Sequence, residues 1–365
     1  MCVHLVAMPH TSLVSAPPRS TLALGDGRVL HLGAQLGRGR MAAVYRATFQ
    51  GAMGLRRAVA VKVFDAIASD EREAVLAAVV HAATRAAGVA HPNIVRVEDL
   101  GMLAPAQPYA LLELVAGRSV ERLLEAVRQR GERLPVDLAL FVGLEVADAL
   151  AAARAATWPD GARLSLVHGD LAPSEVLLSW QGEVKVSDFG LEAASRAASG
   201  VRAVVAAVRA LRAIAPECAR GRPADARSDV FSLGVLLHEM LVGPRFPDRI
   251  SDGDTLSWAR DGVVHSAIFA PQPPPALRAL LARALERDPV RRYPHAGLLA
   301  YDLRHAALSM GVGDGRSFLR TALARAFGDE SAEDLERTSE TRLRPAAPQV
   351  DRFARLRGDD EPTER

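Results

Sequence analysis

Cysteine is scarce in this sequence: its 365 residues include two, Cys2 and Cys218, which lie far apart along the chain. Two such distant cysteines do not make the framework of a small disulfide-rich domain, so the sequence indicates a protein of a reducing compartment. Histidine and cysteine also never cluster at the spacing typical of structural metal sites. The sequence therefore argues against disulfide-bonded and zinc-stabilised scaffolds.

An excess of charge of one sign is also missing, as are long uncharged apolar runs. The 45 basic and 43 acidic residues leave a net charge of +2, which gives no basic footprint for nucleic acid. The apolar stretch from Val136 to Ala156 contains four charged residues and predicts a buried helix, not a membrane span. Residues 1–20 show no basic leader with a sustained apolar segment. We expect a cytoplasmic protein with no nucleic-acid or membrane partner.

Hydrophobic residues are plentiful, at 49%, which is enough for a sizeable core. Residues 28–114 show five short β-prone runs and one helical period, and residues 115–310 show mainly helical periods. This pattern predicts an α+β fold with a small five-stranded lobe and a larger, mainly helical lobe. Residues 1–27 are expected to be a disordered lead-in. Residues 311–365 are expected to form an amphipathic helix, from Ser317 to Phe327, and a charged disordered tail.

A glycine-rich turn and a lysine are the first features that indicate chemistry. Gly37 and Gly39 stand between two predicted strands, Val44 follows on the second, and Lys62 ends the apolar run Ala-Val-Ala-Val-Lys. Glycines let backbone N–H groups approach phosphate oxygens, and a lysine on a nearby strand can hold phosphates. A plain hairpin would also explain the glycines. The lysine carries more weight, because burying an unpaired ammonium group is costly.

Five further motifs occur downstream in a fixed order. They are His168-Gly169-Asp170-Leu171, Asp188-Phe189-Gly190, Ala215-Pro216-Glu217, the run from Asp229 to Gly234, and Arg292 in Arg-Arg-Tyr-Pro. With these motifs, residues 29–308 resemble the eukaryotic-like (Hanks-type) Ser/Thr protein kinases of bacteria. The resemblance implies a bilobal protein-kinase fold, in which the strand-rich lobe carries one helix and ATP binds between the lobes.

The resemblance also implies roles for individual residues. The residues implied in nucleotide binding are Gly37, Gly39, Val44, Lys62, Glu113 and Val115. Asp188 would chelate Mg²⁺, and Asp170 would accept the proton of the substrate hydroxyl. Glu175 stands where the family has a second metal-binding residue, an asparagine. A carboxylate also binds Mg²⁺, and Mn²⁺ would suit a looser site.

Other implied roles are structural. Glu217 and Arg292 would form a buried ion pair that braces the helical lobe, and Asp229 would hold the catalytic loop through backbone amides.

Six positions depart from the family pattern. They are His81 for the helix glutamate that orients the lysine, Glu175 for asparagine, Gly169 for arginine, Ala172 for lysine, Ala210 for threonine and Ala42 for the third glycine of the turn. Phosphoryl transfer depends on positioning and electrostatic stabilisation, so six replacements together predict weak or absent catalysis.

Three functions remain open from the sequence. The first is a pseudokinase or weakly active Ser/Thr kinase that binds ATP and signals through a protein partner. The second is a genuine Ser/Thr kinase with protein substrates. The third is a small-molecule kinase, because His168-Gly169-Asp170-Leu171 also resembles the catalytic loop of aminoglycoside and choline phosphotransferases. Those enzymes lack the Ala-Pro-Glu motif, which disfavours the third.

Overall fold

A computed structural model describes residues 21–25, 27–39, 42–65, 72–104, 107–190, 211–247, 250–264 and 272–343. Within these ranges the chain forms a strand-rich lobe followed by a helical lobe, which confirms the expected α+β, two-lobed fold. The strands are β1 (Thr21–Gly25), β2 (Arg28–Arg38), β3 (Ala42–Gln50), β4 (Arg56–Phe64), β5 (Val97–Ala104), β6 (Gln107–Glu113), β7 (Gly117–Ser119), β8 (Val176–Ser179) and β9 (Val184–Val186). The helices are α1 (Arg72–Ala87), α2 (Val120–Gln129), α3 (Val136–Ala155), α4 (Pro216–Ala219), α5 (Ala226–Leu241), α6 (Asp252–Asp261), α7 (Pro275–Ala284), α8 (Ala296–Ser309) and α9 (Gly315–Leu343).

The sheet of the first lobe has six antiparallel strands in the order β1-β2-β3-β4-β6-β5, one more than the sequence predicted. The additional strand, β1, lies inside residues 1–27. The prediction that this segment is a disordered lead-in is therefore wrong for Thr21–Gly25. Leu22 and Leu24 alternate with exposed neighbours and pack against the buried cluster of this lobe. Five residues of alternation are too short a pattern to stand out from a polar lead-in.

Alternation along β4 decides where the lysine points. Val59, Val61 and Val63 enter the buried cluster on one face of the sheet. Because successive strand side chains point to opposite faces, Lys62 projects from the other face, toward the cleft between the lobes. In register it lies between Val44 on β3 and Ala110 on β6.

The second lobe is built around α3, which is buried along most of its length, as expected for the stretch from Val136. Helices α5 and α8 pack on it, and the small sheet β7-β8-β9 lies where the two lobes meet. Among the helices of the described ranges, none has both the length and the apolar character needed to cross a bilayer.

Helix α9 corrects the prediction for the C-terminal region. The amphipathic helix expected from Ser317 to Phe327 exists, but the helix continues to Leu343 after a kink at Phe327 (φ −137°, ψ 18°). Leu319, Leu323 and Phe327 are buried in the core of the second lobe. The lobe therefore extends beyond the predicted boundary at residue 310, because a stripe of apolar residues four apart packs on it. The predicted disordered tail beyond residue 343 lies outside the described residues.

Candidate functional site

All nine predicted site residues line one cleft between the lobes. They are Gly37, Gly39, Val44, Lys62, Glu113, Val115, Asp170, Glu175 and Asp188. The cleft has a volume of about 1740 Å³, larger than the roughly 300–1,000 Å³ of most small-molecule sites. It therefore extends beyond a nucleotide-sized pocket, toward Arg128 and Glu239.

An ion pair between Lys62 and Asp188 lies at the centre of the cleft. Lys62 Nζ donates to Asp188 Oδ2 at 2.6 Å, and only 13% of the lysine side chain is exposed. Asp188 has a left-handed backbone conformation (φ 66°), which is uncommon outside glycine and points the carboxylate back at the lysine. Strand β4 and the loop after β9 thus meet through a charge-assisted hydrogen bond.

Glu175 forms a second carboxylate beside this pair. Burial raises the pKa of Glu175 to about 8, and the negative charge of Asp188 is the second largest cause of this shift. Burial also acts to raise the pKa of Asp188, but Lys62 and the hydrogen bond with Glu175 outweigh it and lower that pKa overall. Near pH 7 Glu175 is therefore the protonated partner, sharing its proton with an ionised Asp188.

The carboxylates of Asp188 and Glu175 provide oxygen ligands that fit a divalent cation. In the described part of the chain, no group of three or more His, Cys, Asp or Glu side chains is arranged to hold a metal on its own. Mg²⁺ usually binds one or two carboxylates together with substrate phosphates, so Asp188 and Glu175 are sufficient as protein ligands. The chemistry supplied by a bound ion would be neutralisation of phosphate charge.

Asp229 holds the loop that carries Asp170 through backbone amides, as expected. The Asp229 carboxylate accepts hydrogen bonds from His168 N and Gly169 N, both at 2.9 Å. His168 Nε2 lies 2.8 Å from the carbonyl of Ser187, and Asp170 N donates to His168 Nδ1 at 3.3 Å. The imidazole is therefore neutral, with its proton on Nε2, and it links the Asp170 loop to the residue before Asp188.

This buried imidazole gives a pH prediction. Burial lowers the pKa of His168 below its ordinary value of 6.5, although Asp229 and Asp188 act in the other direction. Below about pH 6.5 only the unfolded chain takes up the proton, so stability is present above that pH and is lost as pH falls. The free energy of unfolding should drop by up to about 1.4 kcal/mol per pH unit from this residue.

Chemical denaturation of the wild type and His168→Asn between pH 7 and 5 measures this contribution. The exposed His305 offers a matched control, because His305→Asn should keep the wild-type slope. Equal slopes for His168→Asn and the wild type would contradict the assignment.

The glycine-rich turn faces open space. A side chain added at Gly37 would meet no atom within 4 Å, and one at Gly39 would meet only the Ala42 carbonyl, at 3.7 Å. Neither glycine has a positive φ, so packing and backbone conformation do not require glycine at either position. A close approach by a ligand remains a reason for it. Arg38, beside the turn, donates to Asp65 at 2.6 Å; Arg40 lies outside the described residues.

The connection between the lobes follows β6. The carboxylate of Glu113 accepts from Arg96 N and from Lys185 Nζ, both at 2.9 Å, so this side chain ties the connection to β5 and β9. Val115 lines the cleft with Val44 and Ala60, which gives apolar surfaces suited to a flat ring.

The helix position predicted to face Lys62 is not directed into the protein. His81 is exposed, whereas Ala82 is buried, and its Cβ would lie 3.7 Å from a side chain placed on Gly190. The buried residues on the described part of α1 are Val79, Ala82, Ala83 and Ala86, so none of them carries a charge. Glu71 or Glu73 could serve as the lysine's partner only if the helix were shifted by several residues; Glu71, the side chain of Glu73 and Ala210 all lie outside what the structure describes. Among the described residues, the lysine's carboxylate partner is Asp188.

The structural ion pair forms as predicted. Nη1 and Nη2 of Arg292 both donate to the Glu217 carboxylate at 2.8 Å, and the two side chains are 0% and 7% exposed. Ser228 Oγ also donates to Glu217, at 2.8 Å.

Sequence reasoning missed Arg245, which holds the segment Leu211–Ile214 beside the cleft. The Arg245 guanidinium is fully buried, and its Nη1 lies 2.9–3.5 Å from the carbonyls of Leu211, Arg212 and Ile214. Ser232 Oγ donates to the remaining carbonyl, that of Ala213, at 3.0 Å. No local sequence pattern indicates that Arg245 holds this segment, because the carbonyls that accept its hydrogen bonds lie more than 30 residues earlier in the chain.

Comparison with known proteins agrees with this geometry. The sequence model of a family described as protein tyrosine and serine/threonine kinase matches residues 30–300. The chain is 31% identical to tyrosine-protein kinase MasK of Myxococcus xanthus over 88% of its own length and 51% of that protein. It is 32% identical to a probable serine/threonine-protein kinase of Streptomyces coelicolor over 77% of its own length and 40% of that protein. The chain thus spans about half, or less, of the length of these relatives.

Proposed function

The chain belongs to the protein tyrosine and serine/threonine kinase family, and from this premise we propose that it binds ATP in the interlobe cleft and signals mainly through protein partners, as a pseudokinase or weakly active kinase. The observation that carries the proposal is the Lys62–Asp188 pair with Glu175 beside it. The lysine and the aspartate are the groups that would hold the phosphates and the metal, and both are present in one cleft.

The same arrangement explains why transfer would be weak. Lys62 is held by the carboxylate that would bind the metal, while the buried residues on the described part of α1 are all apolar and offer no charge. A nucleotide would therefore have to break the Lys62–Asp188 ion pair as it binds, because no carboxylate on the described part of α1 positions the lysine in advance. Positioning accounts for most of the rate of phosphoryl transfer, so this rearrangement would slow the chemical step.

A genuine protein kinase is the second candidate, and the loop around Asp170 favours it. Asp229 and His168 hold this loop, and Arg245 and Ser232 hold the neighbouring segment. Asp170 would then accept a proton from a substrate hydroxyl. The relatives include a tyrosine-protein kinase and a serine/threonine-protein kinase, so the acceptor could be either type of hydroxyl.

Label transfer from γ-labelled ATP distinguishes the two candidates. Wild type and Asp170→Asn would be compared on the protein itself and on a mixture of Ser-, Thr- and Tyr-containing substrates, with Mg²⁺ and with Mn²⁺. We expect ATP binding by calorimetry in both forms, and transfer that is absent or far below the ~1–100 s⁻¹ of typical protein kinases. Transfer at that typical rate which disappears in Asp170→Asn, and which is faster with Mn²⁺, would overturn the proposal in favour of a fully working kinase.

A further inference from the structure

The half of α9 that follows the kink lies beside the connection between the lobes. Arg118, on β7, donates to Glu330 through Nε at 2.9 Å and through Nη2 at 2.7 Å. Its Nη1 donates to Asp334 at 2.8 Å, and Arg46 Nη2 on β3 donates to the same carboxylate at 3.4 Å. Asp334 is only 9% exposed. One carboxylate of α9 therefore joins a strand of the first lobe to a strand of the second.

Contacts on both sides of the kink support this placement. Arg118 stacks over the ring of Trp180, at 5.1 Å, and lies 5.9 Å from the Phe327 ring. Arg130 donates to the carbonyls of Arg325 and Ala326, the last two before the kink. These contacts anchor the turn that ends at the kink. The kink is thus built into the fold and directs the second half of α9 toward the first lobe.

This half of the helix also forms part of the cleft wall. Glu330, Asp334, Arg46 and Arg118 line the same cleft as Lys62 and Asp188. Two guanidinium groups and two carboxylates of opposite charge therefore face one another there. Without the helix, Arg118 and Arg46 would lose these two carboxylates.

We propose that residues 328–343 of α9 are a removable wall of the nucleotide cleft. While docked, Glu330 and Asp334 neutralise Arg118 and Arg46 and tie the lobes together; when undocked, they leave two cations that attract an anionic nucleotide. The proposal rests on the nucleotide binding proposed above and adds a control over nucleotide entry. The contact between Arg118 and Asp334 would decide whether the Arg118 guanidinium is available to the phosphates of an entering nucleotide.

Asp334→Asn and Glu330→Gln test the wall in the full chain, with Glu132→Gln as the matched control. Glu132 accepts from Arg325 in the first half of α9, so the control removes one charge from a contact of the same helix away from the opening. The association rate of a fluorescent ATP analogue should rise about 10-fold at low salt in the test variants, and the gain should shrink at high salt. An unchanged rate, or an equal rise in the control, would overturn the proposal.

Hydrogen exchange provides a readout that needs no nucleotide. Amides of residues 328–334 should lose protection in Asp334→Asn and Glu330→Gln but not in Glu132→Gln. If protection is lost and no form binds nucleotide, the proposed function fails while the docking contact stands. If protection is the same in all three variants, the wall is not held by these carboxylates and the proposal fails, whatever the nucleotide does.

Discussion

Arg292→Met is expected to lower the free energy of unfolding by about 3–5 kcal/mol, the typical cost of breaking a buried ion pair from one side. The substitution leaves the Glu217 carboxylate buried with Ser228 as its remaining side-chain donor. It also removes the donors to the carbonyls of Arg227, Glu286 and Arg287. Equilibrium denaturation in urea or guanidinium measures the change.

A double variant and a surface pair complete that experiment. Glu217→Gln combined with Arg292→Met should be less destabilised than the sum of the two single variants, because the uncompensated charge is then gone. Arg304→Met breaks an arginine–aspartate contact with Asp148 in which the side chains are 51% and 32% exposed. It should cost no more than about 1 kcal/mol. A similar cost for both arginine variants would show that the Glu217 pair does not brace the lobe.

Lys62→Met is expected to weaken the binding of ATP by about 30-fold or more, which corresponds to about 2 kcal/mol. The substitution removes the cation that would meet the phosphates. It also leaves the carboxylates of Asp188 and Asp170 lining the cleft without that lysine. Like charges close together repel an anionic ligand, so both effects act in the same direction.

Titration calorimetry with ATP and with adenosine isolates the phosphate contribution. Adenosine lacks the phosphates but keeps the ring that Val44, Ala60 and Val115 would contact. Its affinity should change little in Lys62→Met. Equal losses for both ligands would mean that the substitution disturbs the whole cleft, and no loss for ATP would remove Lys62 from the nucleotide site.

The sequence predicted the parts of the site that are encoded by short motifs on regular elements. Lys62 could be placed in the cleft because strand alternation sends it away from its valine neighbours. The Glu217–Arg292 pair could be predicted because the family resemblance supplies both positions. The buried positions of α1 could not be placed, because residue counting assumes a length for the connection after β4. The structure buries Ala82 and leaves His81 exposed.

Contacts between distant segments were beyond prediction for a different reason. Arg118 meets Glu330 and Asp334 across more than 200 residues, and each of these side chains alone reads as an ordinary surface charge. Arg245 likewise sits in a Gly-Pro-Arg-Phe-Pro run without periodicity. Such pairings depend on how the lobes and the last helix come together, and that information is spread over the whole packing arrangement rather than held in a local pattern.

The first half of α9 determines where a shortened recombinant form of this protein can end. The family match ends at residue 300, yet Leu319, Leu323 and Phe327 complete the same apolar core as α3. Gly315 packs so closely on Phe141 that a side chain added there would overlap its ring. A fragment prepared from the family boundaries alone would therefore expose the apolar surface that α9 covers and would tend to aggregate. Recombinant versions of this kinase-family domain should end after the last turn of α9, not at the end of the segment that the family model matches.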